Sequence, residues 1–151
     1  MNDDDLLLER QLCFALSVAS RSVVASYRPV LEKLGLTHPQ YLVMLALWER
    51  SPRTAREISE ALLLEPATVT PLLRRLEDAG LLTRARQHGN ERALDVALTP
   101  RGRALREQAL AVPTTMMARL GISREEAAEL HGSMMRLIAA AQASREADAA
   151  V

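Results

Sequence analysis

The spacing of hydrophobic residues predicts a mostly helical chain. Between Leu6 and about Arg28, apolar residues recur every three or four positions, as on one face of a helix. Pro29 should kink or end this first helix near Arg28. Thr37 and Gln40 form a capping-box pattern in front of a strongly apolar run. A second, buried helix should therefore begin at Thr37.

The third and fourth helices are predicted to follow closely on each other. Thr54 and Glu57 form another capping-box pattern, which opens the third helix. The fourth runs from about residue 67 to residue 79 and stops at Gly80. Pro71 is tolerated only in a first turn, which places the start of this helix near Thr68. The apolar stripe of the fourth helix has helical spacing: Val69, Leu72, Leu73 and Leu76.

The hydrophobic period then changes from that of a helix to that of a strand. Residues 82–86 can form one strand, 87–91 are typical of a turn, and 92–98 alternate between apolar and other positions. Thr99 with Pro100 should open a fifth helix, and Ser123 with Glu126 a sixth that runs to about Glu146. The order predicts a mainly α winged helix-turn-helix fold, with six helices and a two-stranded wing in a single domain, 1–151.

The fourth helix carries side chains suited to double-stranded DNA. Those that should face outward are Thr68, Thr70, Arg74 and Arg75. A helix of this kind can enter the major groove. The threonines would then contact bases or nearby phosphates, and the arginines mainly phosphates. The alternative is that both arginines only pair with Glu77, Asp78 or other surface acids.

The hairpin adds basic residues around its turn. They are Arg84, Arg86, His88 and Arg92. A wing arginine can enter the narrow, electronegative minor groove, and Arg92 is the first candidate for that contact. The alternative for Arg92 is a salt bridge to Asp95 or Glu91, or a brace against the body of the domain.

Charge and composition agree with a globular DNA-binding protein. The 151 residues have no net charge, but 66–106 contain eight arginines against four acids. This segment can bind a polyanion, or it can be only a solvated arginine-rich face. No apolar run approaches a membrane span, and the acidic start is unlike a secretory signal, so we expect a cytoplasmic location. A single cysteine, Cys13, excludes an internal disulfide and a multi-thiolate zinc site, and we expect no metal or cofactor.

Several short segments, taken in order, resemble the MarR family of winged-helix transcriptional regulators over nearly the whole chain. Within that family the chain is most similar to the organic hydroperoxide resistance regulators with one cysteine. The segments are QLCFAL (11–16), YRP (27–29), LTHPQYL (36–42), LWE (47–49), TVTPLLRRLE (68–77), NER (90–92) and LT (98–99).

The resemblance implies a homodimer that binds a palindromic operator and represses nearby genes. Residues 36–99 would form the DNA-binding lobe, and 6–34 with 100–146 the dimerisation helices. A stripe in the last helix is consistent with such an interface, or equally with core inside one chain: Leu130, Met134, Leu137, Ile138 and Ala141.

The resemblance also gives Cys13 a role as peroxide sensor. In that branch, tyrosine hydroxyls of the partner subunit hold the thiolate, and Tyr27 matches one of them. His38 stands where the second tyrosine usually lies, and Ser17 replaces a further aromatic residue. Asn90 replaces the usual wing aspartate, and 65–67 replace a more typical Asp-Ser-Gly. Oxidation by an organic hydroperoxide, followed by reaction with a low-molecular-weight thiol, would release the DNA.

Three alternatives concern Cys13. From composition alone, a single cysteine in an apolar helix is more often an inert core residue than a reactive one. A small aromatic ligand could be the inducer, with Cys13 only packing. A thiol peroxidase with Cys13 as nucleophile is the remaining alternative, but the sequence offers no resolving thiol and no catalytic spacing among its three histidines. The sequence therefore favours a regulator over an enzyme.

Overall fold

The computed structural model describes residues 3–87 and 89–150, with the side chains of 3, 87 and 90–92 left out. Its α-helices are α1 (Leu12–Glu32), α2 (His38–Glu49), α3 (Ala55–Leu62), α4 (Pro66–Asp78), α5 (Pro100–Ala109), α6 (Val112–Leu120) and α7 (Arg124–Ala149). Its strands are β1 (Arg53–Thr54), β2 (Leu82–Gln87) and β3 (Asn90–Leu98). The predicted winged-helix class is confirmed. The predicted fifth helix is divided into α5 and α6.

The first helix differs at both ends from its prediction. Residues 3–10 form two short 3₁₀ turns, and α1 begins only at Leu12. Pro29 does not end the helix as predicted, since α1 continues to Glu32. Val30 and Leu31 directly follow the proline and are buried, so their packing stabilises the last turn of α1.

The core of the first compact unit, Met1–Val112, lies around α2. Thr37 caps this helix through the predicted box, accepting a hydrogen bond from the Gln40 amide while the Gln40 side chain accepts one from the Thr37 amide. The Trp48 indole donates to the Gly102 carbonyl at 2.9 Å and joins α2 to α5. A side chain at Gly102 would overlap the Leu81 carbonyl oxygen. This close approach therefore requires glycine.

The three strands form an antiparallel sheet in the order β1-β3-β2. The hairpin of β2 and β3 was predicted, and its register sets Leu82 opposite Leu98 and Arg84 opposite Val96. Strand β1 has only two residues and pairs with Val96 and Asp95. Such a short strand carries no detectable alternation, and the sequence analysis missed it.

The second compact unit is Pro113–Val151, which contains α7. Ser123 caps α7 through the predicted capping box with Glu126. None of the side chains of α7 is buried, and its apolar residues include Leu130 and Met135, which are 55% and 50% exposed. The apolar stripe predicted there is therefore not buried within this unit. Among the described residues, none of the helices combines the length and apolarity needed to cross a membrane.

Candidate nucleic-acid interface

Helices α3 and α4 form a helix-turn-helix with a tight turn at 63–65. Thr54 accepts from the Glu57 amide at 3.1 Å and opens α3 as predicted. Leu63 ends α3 in the left-handed conformation, with φ of 53°. Helix α4 begins at Pro66, two residues before the predicted Thr68. The prediction that Pro71 lies in a first turn is therefore wrong, since Pro71 is the sixth residue of α4.

The arginines of α4 lie outside its buried side. Val69, Leu72, Leu73 and Leu76 are buried as predicted. Thr68, Thr70, Arg74 and Arg75 are all exposed. Neither arginine takes part in an ion pair within the described part of the chain. The alternative in which they pair with Glu77 or Asp78 therefore has no support from the geometry.

Two exposed residues near the start of α4 were missed by the sequence analysis. At 3.6 residues per turn, Ala67 and Pro71 lie opposite the buried stripe, in line with Arg74. The Thr70 hydroxyl, by contrast, donates to the Pro66 carbonyl at 3.0 Å, so its proton is already bound. A helical projection of 66–78 would have identified the two hydrocarbon residues. The sequence analysis assigned only polar side chains of this helix to DNA and therefore did not name Ala67 or Pro71.

Arg84 does not project freely from the wing. Its guanidinium donates to Glu77 Oε1 at 3.0 and 3.3 Å, and its backbone amide donates to Glu77 Oε2 at 2.9 Å. The Arg84 side chain is only 20% exposed. Hydrogen bonds from Arg84 lower the pKa of Glu77 and so favour its charged carboxylate. In this arrangement Arg84 joins strand β2 to α4, and its direct contact with DNA stays a prediction.

The rest of the wing is partly described. The Arg86 side chain is exposed on β2, next to the turn at Gly89, whose φ is +83°. The backbone of Arg92 lies in β3, but its side chain is outside the described residues, as is all of His88. The minor-groove contact of Arg92 therefore stays a prediction.

The predicted sensor residues occupy two places on α1. Cys13 lies in the first turn and is exposed, so the interpretation of Cys13 as a buried core residue is wrong. Tyr27 lies near the other end, with its ring 5.1 Å from the His38 ring and edge-on to it. Tyr41 continues this aromatic cluster, 6.1 Å from Tyr27. The structure brings Tyr27 and His38 together, but it does not bring Cys13 to them within one chain.

Burial lowers the pKa of His38 below its ordinary value of 6.5. A cationic imidazole, which would lower the pKa of a nearby thiol, is thus disfavoured near neutral pH. The neutral ring still carries one N–H donor.

Comparison with known proteins identifies the family. The MarR family model matches residues 36–94, which include α2 to α4 and most of the hairpin. The organic hydroperoxide resistance transcriptional regulator of Bacillus subtilis is 42% identical over 127 residues, or 84% of each chain. Overoxidized AbfR bound to DNA, from Staphylococcus epidermidis, is 33% identical with a TM-score of 0.74, over 91% of this chain and 97% of that one. Disulfide-formed AbfR is 32% identical with a TM-score of 0.65, over 92% of each chain.

These proteins and their shared fold are those of transcriptional regulators and not of enzymes, which removes the thiol-peroxidase alternative. The resemblance seen in the sequence is confirmed over both the DNA-binding segment and the flanking helices. The chain belongs to the MarR family of DNA-binding, winged-helix transcriptional regulators.

Proposed function

We propose that this protein is a homodimeric repressor that leaves its operator when an organic hydroperoxide oxidises Cys13. The observation that carries the proposal is the free face of α4, where Arg74 and Arg75 are exposed and unpaired among the described residues. Thr68, Thr70 and the wing residues Arg86 and Arg92 would complete the DNA contact. The DNA-bound relative supports this assignment.

A dimer is supported by apolar surface at the two ends of the chain. Leu6 and Leu8 are 88% and 64% exposed, and Leu130 is 55% exposed. Large apolar side chains in this number are costly to leave in water and commonly mark an interface. Residues 6–34 and 100–146 would be covered by the same helices of a second copy, while 36–99 would stay free for DNA.

The sensor would be assembled across this dimer. Tyr27 follows Cys13 by fourteen positions, which is about 21 Å along α1. A bent or rotated side chain cannot cross that length within one chain. Cys13 of one protomer would therefore meet Tyr27 and His38 of the other. The Tyr27 hydroxyl and a neutral His38 N–H would donate to the thiolate and favour it over the thiol.

The oxidation consumes one peroxide for each cysteine. The Cys13 thiolate attacks the terminal oxygen of the hydroperoxide, the O–O bond breaks, and the alkoxide leaves and takes a proton to become an alcohol. The resulting sulfenic acid condenses with an external thiol, which gives a mixed disulfide and water. Because Cys13 is the chain's only cysteine, that thiol must come from a small molecule or another protein. A second thiol restores Cys13 by exchange.

A gel-shift experiment on the DNA upstream of the protein's own gene tests both parts. Reduced protein should bind, and cumene hydroperoxide with a small thiol should release it. Cys13→Ser should bind equally and stay bound after the same treatment. Tyr27→Phe should bind equally but need more peroxide. Release of Cys13→Ser by peroxide would refute the sensor, while failure of the reduced protein to bind would refute operator recognition.

A second candidate inducer is a small aromatic acid, because a cleft of about 420 Å³ lies beside α1 and α2. Arg21, Arg28 and His38 contribute to its wall together with apolar side chains such as Val24 and Leu36. This size and mixture suit a ring bearing a carboxylate. Release of Cys13→Ser by such an acid under reducing conditions would favour this inducer over peroxide.

A further inference from the structure

The first two turns of α4 contain none of the side chains that form paired hydrogen bonds with a base. Residues 65–71 read Glu-Pro-Ala-Thr-Val-Thr-Pro, without arginine, lysine, asparagine or glutamine. Those are the residues that recognise guanine or adenine with two hydrogen bonds. The Thr70 hydroxyl already donates to the Pro66 carbonyl. Recognition by this part of α4 must therefore rest on something other than bidentate hydrogen bonds.

The middle of the outward face is hydrocarbon. Ala67 and Pro71 are one helical turn apart, both exposed, and opposite the buried Val69 and Leu72. Arg74 continues this face about 10 Å beyond Ala67. In the major groove, the C5-methyl group of thymine is the base feature that an apolar side chain can contact.

We propose that Ala67 and Pro71 select thymine at the operator positions under the start of α4, through contact with the thymine methyl group. The proposal rests on the proposed function, since α4 must enter the major groove. Arg74 and Arg75 then supply phosphate contacts, which add affinity without distinguishing one base from another. Ala67 and Pro71 thus determine the sequence preference, and Arg74 and Arg75 determine the affinity.

Replacing thymine by uracil removes this methyl group and leaves every hydrogen-bonding group in place. The upstream DNA fragment is therefore prepared twice by polymerase extension, once with dTTP and once with dUTP. Burying one methyl group favours binding about fourfold, so one contact in each half of a twofold operator favours the thymine duplex about fifteenfold. Wild-type protein should show a dissociation constant higher by that factor on the uracil duplex.

Two variants separate the methyl contact from other effects. The double variant Ala67→Gly, Pro71→Ala should bind both duplexes with nearly the same constant. Replacing the proline inside a helix offsets the cost of the glycine, so the variant should fold. Arg75→Ala, the control, should bind both duplexes more weakly and keep the fifteenfold ratio.

Three results would overturn the proposal. The first is tight wild-type binding with equal constants for the two duplexes, which would leave operator recognition intact. The second is an undiminished ratio in the double variant, because the discrimination would then come from the DNA itself. The third is absence of binding to either duplex, which would refute the proposed function as well.

Discussion

Arg75 offers a quantitative test of how α4 meets DNA. Its side chain is exposed and has no ion pair among the described residues, so the charge is available to a phosphate. Each phosphate contact adds about 0.9 to the slope of log affinity against log salt concentration. A dimer presents Arg75 twice, and Arg75→Ala should lower this slope by about 1.8. Between 50 and 200 mM salt, wild-type affinity should then fall about 12-fold more than that of the variant.

The assay is fluorescence anisotropy with the upstream duplex at four or more salt concentrations. Arg145→Ala removes the same charge from α7, outside the proposed lobe, and should leave the slope unchanged. Because Arg75 is exposed, its loss should change the free energy of unfolding by less than about 0.5 kcal/mol, which a urea titration checks. A variant that binds weakly with an unchanged slope would show that Arg75 does not contact phosphate.

Three stability measurements test the local geometry, each by urea unfolding. Leu63→Gly should raise the free energy of unfolding by about 1 kcal/mol, because glycine adopts φ of 53° without strain and the leucine side chain is 62% exposed. A lower urea midpoint for this variant would contradict the prediction. Gly102→Ala should lower the free energy of unfolding by at least about 2 kcal/mol, because the added methyl group would overlap the Leu81 carbonyl. The control Gly132→Ala should be neutral or stabilising, because its methyl group would meet only a flexible side chain. Burial lowers the pKa of His38, so the unfolded chain binds more protons than the folded chain below pH about 6.5. The free energy of unfolding should therefore decrease as the pH is lowered through this range. An equal decrease in a His38→Gln variant would exclude His38 as the cause.

Local hydrogen bonds made the helix starts predictable. Capping boxes depend on residues three positions apart, so Thr37, Thr54 and Ser123 identify their helices without knowledge of the fold. The proline rule is also local, and it gave the wrong boundaries. Pro29 and Pro71 are both followed directly by buried residues, such as Leu31 and Leu72, whose packing compensates for the missing backbone hydrogen bond.

The candidate site was predictable where it depends on one helix and not where it depends on two elements. Periodicity placed Arg74 and Arg75 on the exposed side of α4. Arg84, by contrast, was assigned to DNA by its charge, although its partner Glu77 lies seven residues away on another element. The proposed sensor is a further step removed, because a site shared by two protomers would leave no pattern in the spacing of one chain.

The unfavourable local features of the DNA-binding lobe are concentrated at the start of α4. Helices α3 and α5 on either side begin with threonine caps, whereas Glu65 before α4 forms no side-chain cap. Leu63 holds a conformation that glycine would adopt more easily, and Pro71 removes a backbone hydrogen bond from the second turn of α4. Sequences break local rules in this way mainly where function requires it. We expect the exposed Ala67 and Pro71 to serve contact with DNA, while the buried stripe of α4 supplies the stability that these unfavourable features cost.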